Sequence, residues 1–396
     1  MVAWHIVRID STGDVGSDCS LILDTDGYPH ISYRDKTNDA LKYAYRDVNG
    51  WHVETADSNV GAHGGQYTSI ALDADGYPHI SYLGYTDSYD LKYAYKDAGG
   101  WNVETVESAG YVGLYTSIAL DTDGYPHISY HDFTNKDLKY AYKDAGGWNL
   151  ETVDSTNWTG YFTSIVLDAD DYPHISYYYA NTTDLKYAYK DAGGWNLETA
   201  YSSADAVGYW SSLALDTDGY PHIGHYNQTD HDLMYTYKDA GGWHTETVDS
   251  ADVVGRYTSL ALDTDDYPHI SYQHYTDSYD LKYAYKDAGG WNLETVDSVD
   301  DVSFTSIALN VNDYPHISYY DFVNDDLKYA YKAISSLYPF IKFIGAAAVG
   351  DLTRHLVDEG DQAGQTREGW LKITLTDVGD QVTDGDYYIP IFSLSA

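Results

Sequence analysis

Cysteine is almost missing from this chain. Cys19 is the only one, so no disulfide can form within it. Positive charge is scarce too: 22 Lys and Arg stand against 62 Asp and Glu, for a formal net charge of −40. A surface so acidic repels DNA, RNA and anionic lipid, which argues against nucleic acid as a partner. Long apolar runs are lacking. The most apolar stretch, 337–350, is 14 residues long and contains Lys342, too short to span a bilayer. The opening Met1-Val-Ala-Trp-His shows neither the charged leader nor the apolar segment of a signal peptide. Secretion would therefore need a leader already removed or another export route. The acids are mostly Asp, which serves turns better than helices. The same excess would suit solvation at high salt.

What is abundant is aromatic. Tyr alone contributes 45 of the 396 residues, far too much rigid apolar area for a disordered chain. These residues recur in order. Pro-His pairs begin at Pro29, Pro78, Pro126, Pro173, Pro221, Pro268 and Pro315, a period of 47 to 49 residues. A period in that range, built of short strand-like pieces, marks a β-propeller. Each copy offers four strands with period-two alternation: A (116–121 in the third copy), B (126–130), C (138–143) and D (148–153). On strand C, Leu138, Tyr140 and Tyr142 share one face, and Lys139, Ala141 and Lys143 the other.

The links between strands have two characters. The A–B link (Asp-Thr-Asp-Gly-Tyr-Pro) and the C–D link (Lys-Asp-Ala-Gly-Gly-Trp) barely change between copies and read as tight hairpins. The B–C and D–A links differ in almost every copy. In a four-stranded meander these two sets fall on opposite rims, so one rim is uniform and one is individual. Binding residues favour loops held on a rigid scaffold, which places function on the individual rim.

The chain opens inside a strand D, with 3–9 in the place of Trp-Asn-Leu-Glu-Thr-Val, and its last copy stops after strand C at 327–332. Seven Trp strands thus match seven Pro-His strands. The expected fold is all-β: a seven-bladed β-propeller over 1–332, closed by the N-terminal strand on the last blade, with a β-rich C-terminal extension over 333–396. The repeat resembles seven-bladed propellers, and more narrowly the tandem Pro-His-Ile-Ser-Tyr repeats of bacterial and archaeal surface proteins. Its Asp-x-Asp-Gly-Tyr-Pro-His hairpin is similar to the A–B hairpin of NHL-type propellers. The resemblance covers 3–332 and implies fold and an extracellular, cell-surface or virion setting more than it implies chemistry.

Chemistry-bearing residues divide into constant and variable sets. The repeat histidines (His30, His79, His127, His174, His222, His269, His316) are used identically in every copy and read as structural. WD-repeat propellers resemble this in using His, Ser or Thr, Asp and Trp as one network, here represented by His127, Ser117, Asp121 and Trp148. The paired acids of the A–B turns, such as Asp24 and Asp26, Asp73 and Asp75, Asp121 and Asp123, read as turn-formers, so no cofactor is expected, with calcium as the alternative. They supply about half of the six to eight oxygens it takes. The strand-C lysines Lys42, Lys92, Lys139, Lys186, Lys282 and Lys328 should pair with a repeated Asp or Glu. No catalytic motif is present, the chain has only six Arg, and a glycosidase would have to use Asp alone, with Asp35, Asp132, Asp230 and Asp321 as candidates. We therefore expect no enzyme.

The variable rim carries aromatics beside short polar groups: Tyr85, His131, Phe133, Trp158, Tyr161, Tyr179, Tyr209, Trp210, Arg256, His274, Tyr275 and Phe322. Such a mix suits sugar rings and protein surfaces alike. The expected function is lectin-like recognition of a glycan or protein, without a membrane span. The alternative is an architectural protein assembling with copies of itself through 333–396. In that tail, 370–376 and 387–394 read as strands, 351–367 as a short helix plus loop, and Phe340, Ile341, Phe343, Trp370, Ile389, Ile391 and Phe392 as its apolar face. Its Gly-Trp-Leu-Lys-Ile … Asp-Tyr-Tyr-Ile-Pro-Ile-Phe-Ser pattern resembles the C-terminal hairpins of phage and virus structural proteins.

Overall fold

The computed structural model describes residues 2–85, 88–275, 279–299, 301–334, 370–375 and 385–390. Seven four-stranded antiparallel sheets follow one another along the chain, at 15–57, 66–107, 114–154, 161–201, 207–249, 254–297 and 302–334, the last completed by Val2–Asp10. This is the seven-bladed propeller, with the N-terminal strand hydrogen-bonded outside the final strand C. The last copy alone lacks a strand D of its own, and Val2–Asp10 supplies it, so the two ends of the ring meet in one blade. In the third blade, strands A to D are Leu114–Leu120, Pro126–Asp132, Asp137–Asp144 and Gly147–Asp154. Strands A of neighbouring blades lie side by side around the centre, and strands D form the outer edge. Among the described residues no helix is long and apolar enough to cross a membrane.

Three layers of contact join each blade to the next, and each is written into the repeat. Innermost, the Ser of Thr-Ser accepts a backbone N–H from the following blade. The series runs from Ser20 with Ile70 (3.3 Å) round to Ser306 with Leu21 (3.0 Å), and so includes the closing junction. Next comes the core. Between the second and third blades, Leu91 and Tyr93 pack on Ile118, Ile128, Tyr130 and Ala141, all buried. At the closing junction Leu327 and Tyr329 pack in the same way on Leu21, Ile31, Tyr33 and Ala44. Both faces of strands B and C are therefore covered, which is why strand B is buried at every position in the third blade.

Outermost, the strand-D Glu of one blade accepts from the Trp indole and the second strand-C Lys of the next. Glu104, for instance, takes Trp148 Nε1 at 2.8 Å and Lys143 Nζ at 2.7 Å. This latch recurs at six junctions. At the seventh, Val7 stands where the others have Glu, and Trp51 packs edge-on against Tyr329 at 5.3 Å. The expected lysine pairing is thus met in part. Lys42, Lys139 and Lys328 reach Asp10, Glu107 and Asp321, whereas Lys92, Lys186 and Lys282 donate to strand-D threonines. The systematic ion pair belongs to the other lysine, at the end of strand C.

The WD-like network does not form as one unit. His127 Nδ1 meets the Tyr140 hydroxyl at 2.5 Å and its Nε2 approaches Asp121 at 3.4 Å, within one blade. Ser117 and Trp148 instead serve opposite junctions. Asp121 Oδ1 accepts the N–H groups of Asp123 and Tyr125, shaping the turn. The first acid of each Asp-x-Asp pair is committed this way, as in Asp24 and Asp73, while Asp26, Asp75 and Asp123 are exposed. Among the described residues no three His, Cys, Asp or Glu side chains gather as a metal set.

The chain divides into Met1–Ala333 and Ile334–Ala396. In the second unit Trp370–Leu375 pairs antiparallel with Gly385–Pro390, Trp370 opposite Pro390. The later strand thus begins two residues earlier than its sequence suggests. The expected helix at 351–367 and the apolar run 337–350, with Phe340, Ile341 and Phe343, lie outside the described residues, as do Ile391 and Phe392.

Candidate functional site on the variable rim

The B–C and D–A loops bring most of the expected rim residues into two groups. The first spans blades two to four. His63, Tyr85, Tyr89, Tyr111, Phe133 and Trp158 form a continuous aromatic ridge, with successive ring centroids 5.4, 4.3, 3.7, 5.0 and 6.5 Å apart. Backbone bonds stitch the loops beneath it: Tyr111 O accepts from Phe133 N, and Tyr89 O from Val112 N. Phe133 and Trp158 are 42% and 37% exposed, so the ridge offers ring surface to solvent. Lys136 Nζ lies 4.2 Å from the Trp158 centroid, a cation–π contact at the end of the ridge. Burial, and after it the neighbouring Tyr89 hydroxyl, lift the Tyr111 pKa to about 12.

The second group lies on blades six and seven. The Arg256 guanidinium sits 4.3 Å from the Tyr275 centroid, and Tyr275, Tyr279 and Phe322 follow at 4.5 and 5.0 Å. His274 stands 3.7 Å from Asp252 and 3.8 Å from Asp280. Tyr179 stands apart, bonded to Asn181 and Thr156.

Other candidates point inward. His131 is fully buried, its Nδ1 bonded to Thr159 O and its ring 4.2 Å from Tyr161, and burial lowers its pKa to about 4. Half-buried Tyr161, buried Tyr178 and half-buried Tyr209 continue this row, with Tyr209 donating to the Tyr178 hydroxyl at 3.1 Å. The four rim acids shape their own loops. Asp35, Asp132 and Asp321 each accept from an Asn three residues on, Asn38, Asn135 and Asn324, and all three are buried. Asp230 pairs with Asn227 in the reversed sense. For Asp321, burial acts to raise the pKa, but hydrogen bonds from Asn324 and Lys328 bring it below the ordinary carboxylate value.

Trp210 belongs to a further feature that the sequence pattern hides. The residue before Thr-Ser in each strand A is Asp18, Tyr67, Tyr115, Phe162, Trp210, Tyr257 or Phe304, and every one has φ between 48° and 55°. Left-handed backbone costs a bulky residue on the order of 1–3 kcal/mol, so a seven-fold repetition of it must be held in place. A β-bulge falls here in each A–B pair, as between Leu114 and Ser117. The hydroxyl of the next blade's Thr or Ser clamps the bulged carbonyl: Thr68 on Asp18 O (2.8 Å), Thr163 on Tyr115 O (2.9 Å), Ser211 on Phe162 O (2.8 Å). The side chains line a central cavity of about 200 Å³. Because the bulge lies near the start of strand A, this cavity is at the variable-rim end. The available signal was that this one position exchanges Tyr, Phe, Trp and Asp while six of the seven copies continue with Thr-Ser or Ser-Ser and the first with Cys-Ser.

No family model matches the chain, and no curated protein matches it. Solved structures match its fold. A polysaccharide lyase described as a PL25 ulvan lyase has a TM-score of 0.60 at 15% identity, covering 82% of this chain and 95% of that one. A protein of unknown function from Dyadobacter fermentans DSM 18053 has a TM-score of 0.53 at 10% identity, covering 84% and 99%. The SapL1 lectin, in complex with α-methyl fucoside, has a TM-score of 0.51 at 14% identity, covering 73% and 97%. At these identities the likeness is one of fold.

Proposed function

We propose that this propeller is a non-catalytic carbohydrate-binding protein that takes an extended glycan along the aromatic ridge of blades two to four. The observation that carries the reading is the ridge itself: six contiguous aromatic rings across three blades, with Phe133 and Trp158 open to solvent. Sugar rings stack their C–H faces on such rings, and a line of rings suits a chain of sugars better than a single one. Exposed Asn181, whose amide nitrogen already donates to Asn157 O, and Thr134, whose Oγ1 accepts the Tyr111 N–H, keep an amide oxygen and a hydroxyl proton for sugar hydroxyls. Two proteins of similar fold carry sugar-directed names, a lectin and a polysaccharide lyase. A binding role is favoured over a hydrolase role because Asp35, Asp132, Asp230 and Asp321 are spent on loop geometry. A glycan ligand suits an extracellular or surface setting.

The test is a glycan array probed with the whole chain, followed by affinities for the retained glycans. Truncating a central aromatic anchor commonly costs about 2 kcal/mol or more, so Phe133→Ala and Trp158→Ala should each weaken binding about tenfold or more. Both side chains are substantially exposed, so thermal stability should hold. An array that retains nothing, or retained glycans that bind both variants as tightly as the parent, overturns the reading.

A further inference from the structure

The central cavity is chemically unlike the ridge. Six of its seven bulge positions are aromatic, and their rings form an unbroken wall from Tyr67 through Tyr115, Phe162, Trp210 and Tyr257 to Phe304. Neighbouring centroids are 4.7, 4.5, 5.4, 5.1 and 4.6 Å apart. Ring planes turn by 45° to 51° at each step, close to one seventh of a full turn. Each ring therefore keeps the same attitude to its own blade. The seventh position breaks the wall with a carboxylate. Asp18 takes the Tyr67 N–H on Oδ1 at 3.0 Å. Among the described residues no Lys, Arg or His lines the cavity.

We propose that this cavity is a binding site, separate from the ridge, for a small alkylated ammonium group such as the trimethylammonium of choline. Three observations select that class. Asp18 is an acid set in an aromatic wall whose lining holds no cation, and burial raises its pKa against the Tyr67 N–H bond and the charges of Arg34 and Lys36. A bound cation would restore the charge balance. A metal ion is a poor occupant, because one carboxylate offers too few oxygens and the adjoining hydroxyls are spent on the bulged carbonyls. An alkylated ammonium instead presents methyl groups to the rings and its charge to Asp18, the pairing that aromatic cages use for quaternary ammonium ions. Size agrees: about 200 Å³ is below the roughly 300–1,000 Å³ of pockets that enclose drug-sized ligands, so it suits a headgroup. The net charge of −40 concentrates cations near any such mouth.

Titration of the whole chain with choline and with 3,3-dimethylbutan-1-ol separates charge from shape, because the alcohol replaces the nitrogen by carbon. Choline should bind at least about tenfold more tightly than the alcohol. Asp18→Asn keeps the acceptor for Tyr67 N and should cost choline about tenfold while leaving the alcohol unchanged. A parallel titration with phosphocholine assigns the source, since tighter binding than choline indicates a conjugated headgroup and weaker binding a free cation. Equal affinity for choline and the alcohol, no binding of either, or an unaltered choline affinity in Asp18→Asn overturns the proposal. Phe133→Ala should leave choline binding intact, so failure here and failure of glycan binding are distinguishable.

Discussion

Deleting residues 2–10 should open the ring and remove most of its stability. This strand supplies a whole edge of the last blade across a junction with no covalent link. Trp4 packs edge-on against Tyr283 at 5.3 Å and donates to Glu294 at 2.9 Å. Arg8 pairs with Asp326 at 3.2 Å. Asp10, itself buried, accepts from the Tyr33 hydroxyl at 2.7 Å and from Lys42 at 2.8 Å. Loss of Asp10 leaves Lys42 with the more distant Asp35, at 3.9 Å. Breaking a buried pair costs about 3–5 kcal/mol, and loss of a packed Trp costs a similar amount. Together these rival the roughly 5–15 kcal/mol that holds a typical domain folded. The outer strand C of the last blade would also become an unpaired edge, prone to association. Urea unfolding should show a much lower midpoint, and a synthetic peptide of residues 1–12 added in trans should restore it. A truncated protein that unfolds at the parent midpoint would show that β-pairing at this seam is dispensable. Trp4→Ala and Asp10→Asn should each reproduce part of the loss.

The seam shows what a repeat makes legible. Blade number and closure follow from counting Pro-His and Trp strands, because each copy carries the same local instructions. The partners across blades do not follow. Lys143 and Glu104 lie 39 residues apart, and Lys139 reaches the same neighbouring strand D at Glu107, while its counterparts Lys92, Lys186 and Lys282 turn to threonines of their own blades. On the rim, variability marked Tyr85, Phe133 and Trp158, which lie in the ridge; Tyr89, at a position that reads Lys136 and Thr183 in the next two copies, varies as much and joins the same ridge. His131 was variable for a different reason: it fills a buried gap beneath Thr159. The cavity is less legible, because its varied residues stand directly before the nearly constant Thr-Ser pair of strand A, and a left-handed backbone at Tyr or Phe has no composition signature. Where that conformation falls on Asp, the reason is visible only in three dimensions. Asp171, Asp266 and Asp313 replace the turn Gly, and each accepts a hydrogen bond from the hydroxyl of a Thr of the preceding blade, Thr122, Thr217 or Thr264.

Acid should unfold this protein from a pH at which most of its carboxylates are still charged. Burial lowers the pKa of all seven repeat histidines. It drives His131 to about 4 as well, and His225, whose Nδ1 is buried with no hydrogen-bond partner, to about 3. In the unfolded chain such rings take up a proton near pH 6.5. Between that value and the folded one the unfolded state binds more protons, so stability falls as pH falls. The contribution is complete above pH 6.5 and exhausted below the folded values. His131, His225 and His316 alone would cost on the order of 10 kcal/mol by pH 4, comparable to the stability of a whole domain. The blades themselves contain the control. In six of them the turn residue facing the histidine is Asp, whose charge offsets burial; in the seventh it is Asn310, 3.1 Å from His316 Nε2, and His316 falls to about 4. Asn310→Asp should therefore raise the His316 pKa toward that of its six counterparts and recover part of the stability lost near pH 5. Calorimetric melting from pH 7.5 to 4.5, with histidine Cε1–H shifts followed by NMR, reads both effects. A melting temperature that stays level across that range, or a His316 that titrates near 6.5 in the parent protein, would show that the histidines are not held neutral by the fold.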